Sequence, residues 1–141
     1  MGRLEGRVIF LTRGGGVLGR ASERLFASEG ARVVLVAFFR ETADQTVVEI
    51  ERESGEALAL RADFTREEEV AEAVAATVGR WGGIDGLFNN AGIMPHEDVS
   101  VLDMENEVWS RVYATNVWGT ALCSKHAIPA SSTPGVVPWR T

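Results

Sequence analysis

The chain has 141 residues and a formal net charge of −6, because 20 acidic side chains outnumber 14 basic ones. This length suits one domain that buries about two thirds of its unfolded surface. The acidic balance argues against nucleic acid as a partner, and no apolar run is long enough to cross a bilayer. The single cysteine, Cys123, excludes an internal disulfide and predicts a reducing, cytoplasmic setting.

Short apolar runs alternate with amphipathic patterns, as is typical of parallel strands joined by crossover helices. The predicted strands are Val8–Thr12, Arg32–Ala37, Ala57–Arg61 and Gly86–Asn89. Three helices are predicted between them, and their apolar faces are formed by Leu18, Ala21 and Leu25, by Ala43, Val47, Ile50 and Ser54, and by Val70, Val74, Val78 and Trp81. A fourth helix is predicted from Met104 to Ile128, with one side formed by Val108, Val112, Asn116, Val117, Thr120 and Ser124.

Several residues at the helix ends match known capping patterns. Gly30 and Gly55 follow the first two helices, where C-cap glycines are expected. Thr65, with Glu68 three residues later, predicts a capping box for the third helix. Pro129 discourages continuation of the fourth helix, so the boundaries of all four are defined by local signals.

The stretch TRGGGVLGRA, residues 12–21, joins the first strand to the first helix. Glycines in such a turn let the backbone approach a pyrophosphate, and the helix N-terminus offers unpaired N–H groups with partial positive charge. Gly14, Gly16 and Gly19 satisfy the spacing G-x-G-x-x-G. Three adjacent glycines make that match easy, so a turn that merely needs permissive residues is an open alternative.

Two motifs together carry a family resemblance. Thr12, Gly19, Arg20 and Ala21 stand in register with the pattern T-G-x-x-x-G-x-G followed by Arg-Ala, and IDGLFNNAGI contains the tetrapeptide N-N-A-G at the end of the fourth predicted strand. On these motifs the sequence, from Leu4 to Ala130, resembles the short-chain dehydrogenase/reductase family. The resemblance implies that a dinucleotide pyrophosphate is held by a cradle formed by Thr12, Arg13, Gly14, Gly15, Gly16, Leu18 and Gly19.

The cradle departs from the family pattern at two positions. Arg13 and Val17 stand where the family has its first two glycines. If either position needs a positive φ, a branched valine there costs about 1–2 kcal/mol. We therefore expect a weakened cradle, unless Gly14, Gly15 and Gly16 let the loop follow a shifted path.

The resemblance also implies contacts to both ends of the cofactor. Asn90, Ala91 and Gly92 would line it near the ribose and nicotinamide, while Asn89 fastens the central strands. A simple Asn- and Gly-containing turn is the alternative. Asp63 and Phe64 match the residues that bind adenine, because a carboxylate accepts from an exocyclic amine. Asp63 could equally cap the helix that follows it.

The end of the second strand bears on the choice between NAD and NADP. An acid there would bond the ribose 2′-hydroxyl, but Ala37 occupies the position. Arg40 or Arg13 could meet a 2′-phosphate, which favours NADP over NAD. Phe38 points the other way, since many NADP-using relatives have a basic residue there, and an ordinary solvent-facing Arg40 is an equal alternative.

The resemblance implies hydride transfer assisted by an Asn, a Ser and a Tyr-x-x-x-Lys pair, in which the Tyr acts as general acid and base. Asn116, in ATNVWGT, matches the family's helix Asn and is the one member that the chain carries; a structural amide is the alternative. The one tyrosine, Tyr113, has Val117 four residues later, and Lys125 has Ala121 four residues before it. The segment GVVPWRT stands where the family has a strand and then the Ser, which indicates truncation or a shifted reading frame.

We therefore predict an α/β fold, a Rossmann-like doubly wound parallel sheet with strand order 3-2-1-4 and flanking helices, incomplete relative to the family. Residues 1–130 would form the dinucleotide-binding domain and residues 131–141 an irregular tail. The expected activity is NAD(P)-dependent alcohol oxidation or carbonyl reduction, which the chain alone would not perform unless the missing half is supplied. A non-catalytic dinucleotide-binding module and a non-functional product are the alternatives. An exposed fourth strand and an uncovered last helix predict self-association.

Overall fold

A computed structural model describes residues 2–12, 17–97 and 100–132. Its centre is a four-stranded parallel sheet with the order β3-β2-β1-β4. The strands are β1 Val8–Thr12, β2 Arg32–Ala37, β3 Glu56–Arg61 and β4 Gly86–Phe88. The helices are α1 Val17–Ser28, α2 Arg40–Arg52, α3 Glu67–Trp81, α4 Asn106–Tyr113 and α5 Gly119–Ala127, and a π-helical turn, Ala114–Trp118, joins the last two.

These elements confirm the predicted Rossmann-like α/β class, the strand order and the flanking helices. The observed strands agree with the predicted ones to within a residue at each end. Arg13, Gly14, Gly15 and Gly16 of the predicted cradle lie outside the described residues, as do residues 133–141 of the predicted tail. In the part of the chain that is described, no helix combines the length and apolar character that crossing a membrane requires.

The core has two layers, one on each face of the sheet. Along β1 and β2, alternate side chains point to opposite faces of the sheet. Because both faces are covered, the two strands are buried throughout, apart from the half-buried Arg32. Phe10, Val34 and Val36 pack toward α3 and α5, where the thiol of Cys123 is also buried. Val33 and Leu35 belong to the opposite layer, which continues into α2 and β3. Burial raises the pKa of the Cys123 thiol to about 12.

The predicted apolar face of α1 is wrong. Leu18 is 74% exposed and Leu25 is 53% exposed, whereas Gly19 and Glu23 are buried. The buried face continues to Phe26, whose ring meets that of Phe88 on β4 edge-on at 5.8 Å. A face that begins with a glycine lets the helix start lie closer to the sheet than a face of leucines, and hydrophobicity alone does not detect this.

Two predicted caps also differ from the structure. The positive φ after α2 belongs to Ser54 and not to Gly55. Gly55 is needed for packing, because a Cβ there would lie 2.6 Å from Cγ2 of Ile50. The predicted capping box of α3 is absent from the described contacts, since α3 begins at Glu67 with no side-chain cap. Gly30, with a φ of 88°, follows α1 as predicted.

The predicted fourth helix is observed as one continuous rod from α4 to α5, with the π turn in its middle. Val108 is buried and Val112 is half-buried, as the pattern predicts. Val117 is 50% exposed, contrary to the prediction, because a π turn adds a residue and rotates the following side chains. The wider turn coincides with Asn116, the predicted catalytic residue.

Strand β4 borders the sheet. Just before β4, on its outer side, Ile84 and Ser131 form an isolated parallel bridge. The Ile84 N–H donates to the Ala130 carbonyl at 2.9 Å, and the Ser132 N–H donates to the Ile84 carbonyl at 3.3 Å. The Asp85 carboxylate accepts from Val8 N–H at 2.8 Å and from the Ser132 hydroxyl at 2.5 Å. Burial raises the pKa of Asp85, but these hydrogen bonds and Arg7 outweigh it, so the pKa lies below its ordinary value.

Candidate dinucleotide site

Thr12 ties the carboxyl ends of β1 and β4 together. Its buried hydroxyl oxygen accepts hydrogen bonds from the N–H groups of Asn90, at 3.0 Å, and Ala91, at 2.9 Å. Parallel strands present their ligand-binding groups at this edge of the sheet. Thr12 therefore fixes the path of the loop that the sequence assigns to the cofactor.

Asn116 holds the same loop from the opposite side. Its Oδ1 accepts from Ile93 N–H at 2.7 Å, and its Nδ2 donates to the Ile93 carbonyl at 2.9 Å. A π turn re-aims the side chains that it contains, and such turns are frequent at functional sites. The turn at Ala114–Trp118 thus directs the Asn116 amide at the loop, which agrees with the structural alternative considered for this residue.

Asn89 anchors the end of β4 to the helix behind it. Its Nδ2 donates to the Ser124 hydroxyl at 3.3 Å, and that hydroxyl donates to the Thr120 carbonyl at 2.8 Å. The Asn89 Oδ1 is buried and has no hydrogen-bond partner within residues 2–12, 17–97 and 100–132. A buried acceptor without a donor is rare, so this oxygen is open to a further contact.

Gly92 leaves room beside the loop. A Cβ at this residue would lie 3.4 Å from Asn116 Oδ1, and apart from its two chain neighbours no other described residue would come within 4 Å of it. Asn90, Ala91 and Gly92 are all half-buried, so the backbone between the two anchors is accessible from one side. An accessible backbone held at both ends fits a nucleotide that lies along it.

Asp63 and Phe64 follow β3, one at the surface and one in the core. Asp63 Oδ1 accepts from the Thr65 N–H at 2.9 Å and from the Thr65 hydroxyl at 2.6 Å. Phe64 is buried against Gly119, where a Cβ would lie 3.1 Å from the Phe64 Cβ. The Phe64 side chain is therefore a packing group, and the half-buried Asp63 carboxylate is the polar group of this pair at the sheet edge.

The end of β2 carries two exposed aromatic rings. Phe38 and Phe39 meet edge-on with their centroids 5.0 Å apart. The guanidinium of Arg61 lies over the Phe38 ring, 5.0 Å from its centroid. Arg61 is the register partner of the buried Ala37, which holds the position of the absent acid. Arg61 was not among the residues predicted from the sequence, although the pairing of the two strand ends could have indicated it.

The remaining predicted residues are less closely grouped. Arg40 pairs with Asp44 of its own helix, Nε to Oδ1 at 3.3 Å. Gly19 is buried at the start of α1, while the neighbouring Leu18 is exposed. Where the chain is described, no cluster of His, Cys, Asp and Glu is arranged to hold a metal ion.

A parallel sheet whose strand ends carry these polar and backbone groups is typical of the nucleotide-binding half of α/β oxidoreductases. The family model described as enoyl-(acyl carrier protein) reductase matches residues 16–137. Short-chain dehydrogenase reductase 5 of Arabidopsis thaliana is 40% identical over 139 residues, which are 96% of this chain and 52% of that protein. Short-chain dehydrogenase reductase 3a of the same plant is 39% identical over 128 residues, covering 91% of this chain and 49% of the relative.

Solved structures give the same result. The citronellol catabolism dehydrogenase AtuB of Pseudomonas aeruginosa PAO1 matches with a TM-score of 0.84 at 31% identity, over 92% of this chain and 52% of that one. A hydroxysteroid dehydrogenase from Escherichia coli matches with a TM-score of 0.84 at 30% identity, over 91% of this chain and 53% of that one.

The chain therefore belongs to the short-chain dehydrogenase/reductase family, and it carries the N-terminal, Rossmann-like region of that family. It spans about half the length of the curated relatives it matches, 49% of one and 52% of another. Members of the family typically bind NAD(P).

Proposed function

We propose that this chain binds an NAD(P) dinucleotide at the carboxyl edge of its sheet, as the nucleotide-binding part of an alcohol or carbonyl oxidoreductase. The observation that carries the proposal is the double anchoring of one loop, by Thr12 at Asn90 and Ala91 and by Asn116 at Ile93. A loop held in this way presents a fixed backbone at the point where nucleotides bind α/β sheets.

Each residue has a distinct role in the proposed site. Asp63 accepts from the exocyclic amine of adenine, and the backbone of Asn90 to Gly92 lies along the ribose and nicotinamide. Asn116 positions the loop near the reacting end through Ile93. The nicotinamide, when bound, supplies or accepts the hydride. Ala37 in place of an acid supports NADP over NAD.

The 141-residue chain is proposed not to turn over a substrate by itself. Tyr113 and Lys125 do not form a Tyr-x-x-x-Lys pair, so the proton donor of the proposed reaction is not provided. A positioned proton donor contributes roughly 10²–10⁴ in rate. An alcohol or carbonyl substrate would therefore be converted only with a complementary half that supplies the donor.

Binding can be tested by titrating the purified chain with NADPH and NADH and following nucleotide fluorescence. We expect saturable binding that Thr12→Val weakens, because the variant leaves the N–H groups of Asn90 and Ala91 without their acceptor. Thr77→Val is the matched control, since it removes a buried hydroxyl that bonds the Ala73 carbonyl within α3. No binding of either nucleotide to the folded chain would favour the non-functional product.

Self-association is a further part of the proposal. Trp109, Tyr113 and Trp118 of the last helix are all more than half exposed. Among the described residues, the outer edge of β4 is paired only through the isolated bridge between Ile84 and Ser131. An open strand edge beside exposed aromatic side chains favours association between chains.

A further inference from the structure

Four charged residues lie around the ends of β2 and β3, outside the loop of Asn90 to Ile93. They are Arg61, Asp63, Arg66 and Glu69. The Glu69 carboxylate lies at their centre and is 20% exposed. Its Oε2 accepts from Arg61 Nη1 at 2.5 Å and from the Asp63 N–H at 2.9 Å. Its Oε1 lies 3.3 Å from Arg66 Nε. The Glu69 carboxylate thus orients two guanidinium groups and the backbone of Asp63, the residue proposed to bind adenine.

Arg61 is placed where a ribose substituent would come. Ala37 and Arg61 are register partners, and neighbouring strands lie about 4.8 Å apart. The residue at the end of β2 is the one that contacts the 2′ position of the adenosine ribose. The Ala37 methyl cannot make such a contact, and the Arg61 guanidinium lies over the ring of the next residue, Phe38.

We propose that Arg61 is the residue that recognises the 2′-phosphate of NADP(H), with the Phe38 ring as its platform and Glu69 as the group that orients it. This inference rests on the proposed function. A guanidinium has five N–H donors, so the bond from Nη1 to Glu69 leaves others for a phosphate. The planar group stacks on an aromatic face and matches phosphate oxygens in a way that an ammonium does not.

The charge balance of the cluster permits an anion. Glu69 is shared between Arg61 and Arg66, so it does not cancel both positive charges. The carboxylate nearest to Arg61 along the chain, Asp63, is turned toward Thr65 through Oδ1. Of the two acids beside Glu69, Glu67 is paired with Lys125 and His126, and Glu68 is exposed. Of the two bases predicted from the sequence, Arg13 lies outside the described residues, and Arg40 pairs with Asp44 along α2 and has no described contact with the ends of β2 and β3.

The test compares Arg61→Gln with Arg40→Gln in the full 141-residue chain. Dissociation constants for NADPH and NADH are measured by fluorescence, and 2′,5′-ADP and 5′-AMP are used as competitors that isolate the adenosine end. We expect Arg61→Gln to weaken NADPH and 2′,5′-ADP by about tenfold while NADH and 5′-AMP are unchanged. The NADPH affinity of Arg61→Lys should lie between those of the wild type and Arg61→Gln, because lysine keeps the charge and loses the planar fork.

Two results would overturn the inference. One is an unchanged NADPH to NADH ratio in Arg61→Gln, and the other is a shift of that ratio in Arg40→Gln as large as the one in Arg61→Gln. Both leave the proposed function intact, provided that the wild-type chain binds the nucleotides. A wild-type chain that binds neither nucleotide contradicts the proposed function itself. The Arg61 side chain is 48% exposed, so its substitution should not unfold the chain and a change in affinity would not be due to misfolding. Circular dichroism of each variant checks this.

Discussion

The two halves of the sheet differ in how completely their hydrogen bonds and apolar surfaces are used. Strand β2 pairs with β1 over five register partners and with β3 over six, and its side chains are buried on both faces. Strand β4 pairs with β1 over three partners, and one isolated bridge begins on its outer side. The helix beside β4 exposes Trp109, Tyr113 and Trp118, and the buried Asn89 Oδ1 has no hydrogen-bond partner among the described residues. We call the part of the sheet around β2 and β3, where the adenosine is proposed to bind, the closed half, because its strands are paired and buried. The part around β4, which would face the substrate, is the open half.

The largest expected effect lies in the closed half. Leu35→Ala removes a fully buried side chain of β2 and should lower the free energy of unfolding by about 3 kcal/mol. Leu87→Ala on β4 should cost about half as much, because that side chain is half-buried. Urea unfolding followed by circular dichroism measures both losses. Equal losses would show that the two halves are equally consolidated.

A smaller effect is expected at the junction between the halves. Asn116→Ala removes both hydrogen bonds to the Ile93 backbone, and a typical intramolecular hydrogen bond contributes about 0.5–1.5 kcal/mol. Hydrogen exchange at the Ile93 amide should accelerate more than exchange in β2. Asn106→Ala, at the exposed start of α4, is the control. Unchanged exchange at Ile93 would mean that the amide of Asn116 does not hold the loop.

Substitution on the open helix face should change assembly more than stability. Trp118→Lys replaces an exposed side chain, so the free energy of unfolding should change by less than about 0.5 kcal/mol. If the exposed aromatic residues drive self-association, light scattering should show a smaller average mass for the variant at micromolar concentration. A monodisperse monomer in the unmodified chain would contradict that part of the proposal.

The smallest effect concerns the pH dependence of the contact between α3 and α5. Hydrogen bonds from Lys125, at 2.5 Å, and His126, at 2.9 Å, hold the pKa of Glu67 below its ordinary value. A lowered folded-state pKa gives stability that is present above the ordinary pKa and is lost as the pH falls through the folded one. Glu67→Gln should therefore flatten the acid limb of stability against pH, below about pH 5. Glu68→Gln, on the exposed side of the same turn, should leave it unchanged.

Local patterns were sufficient for the elements of the fold. The strands β1 and β2 are short runs of branched apolar residues between turn signals, and this pattern predicts both their type and their bounds. The predicted apolar residues of α3 are buried or half-buried, because its valines recur at a helical spacing. The predicted face of α1 was wrong because the helix buries Gly19 and Glu23 and leaves Leu18 and Leu25 exposed, which a hydrophobic pattern does not indicate.

The site depends on contacts between distant residues, which local patterns do not report. The N-N-A-G motif identified the loop, yet its anchors lie far away in the chain, 78 residues for Thr12 and Asn90 and 23 for Asn116 and Ile93. The π turn that aims Asn116 was not predicted, because the sequence was interpreted as one regular helix from Met104 to Ile128. Arg61 and Phe38 meet only because β2 and β3 end side by side, so the pair is a property of strand register.

Cys123 gives the chain a built-in reporter. Its thiol is buried between the sheet and the last helix, and a pKa of about 12 keeps the reactive thiolate scarce at neutral pH. Alkylation would therefore require α5 to separate from the sheet. Pulse labelling with iodoacetamide would count those openings over time without any engineered probe, and nucleotide that steadies the fold would make them rarer.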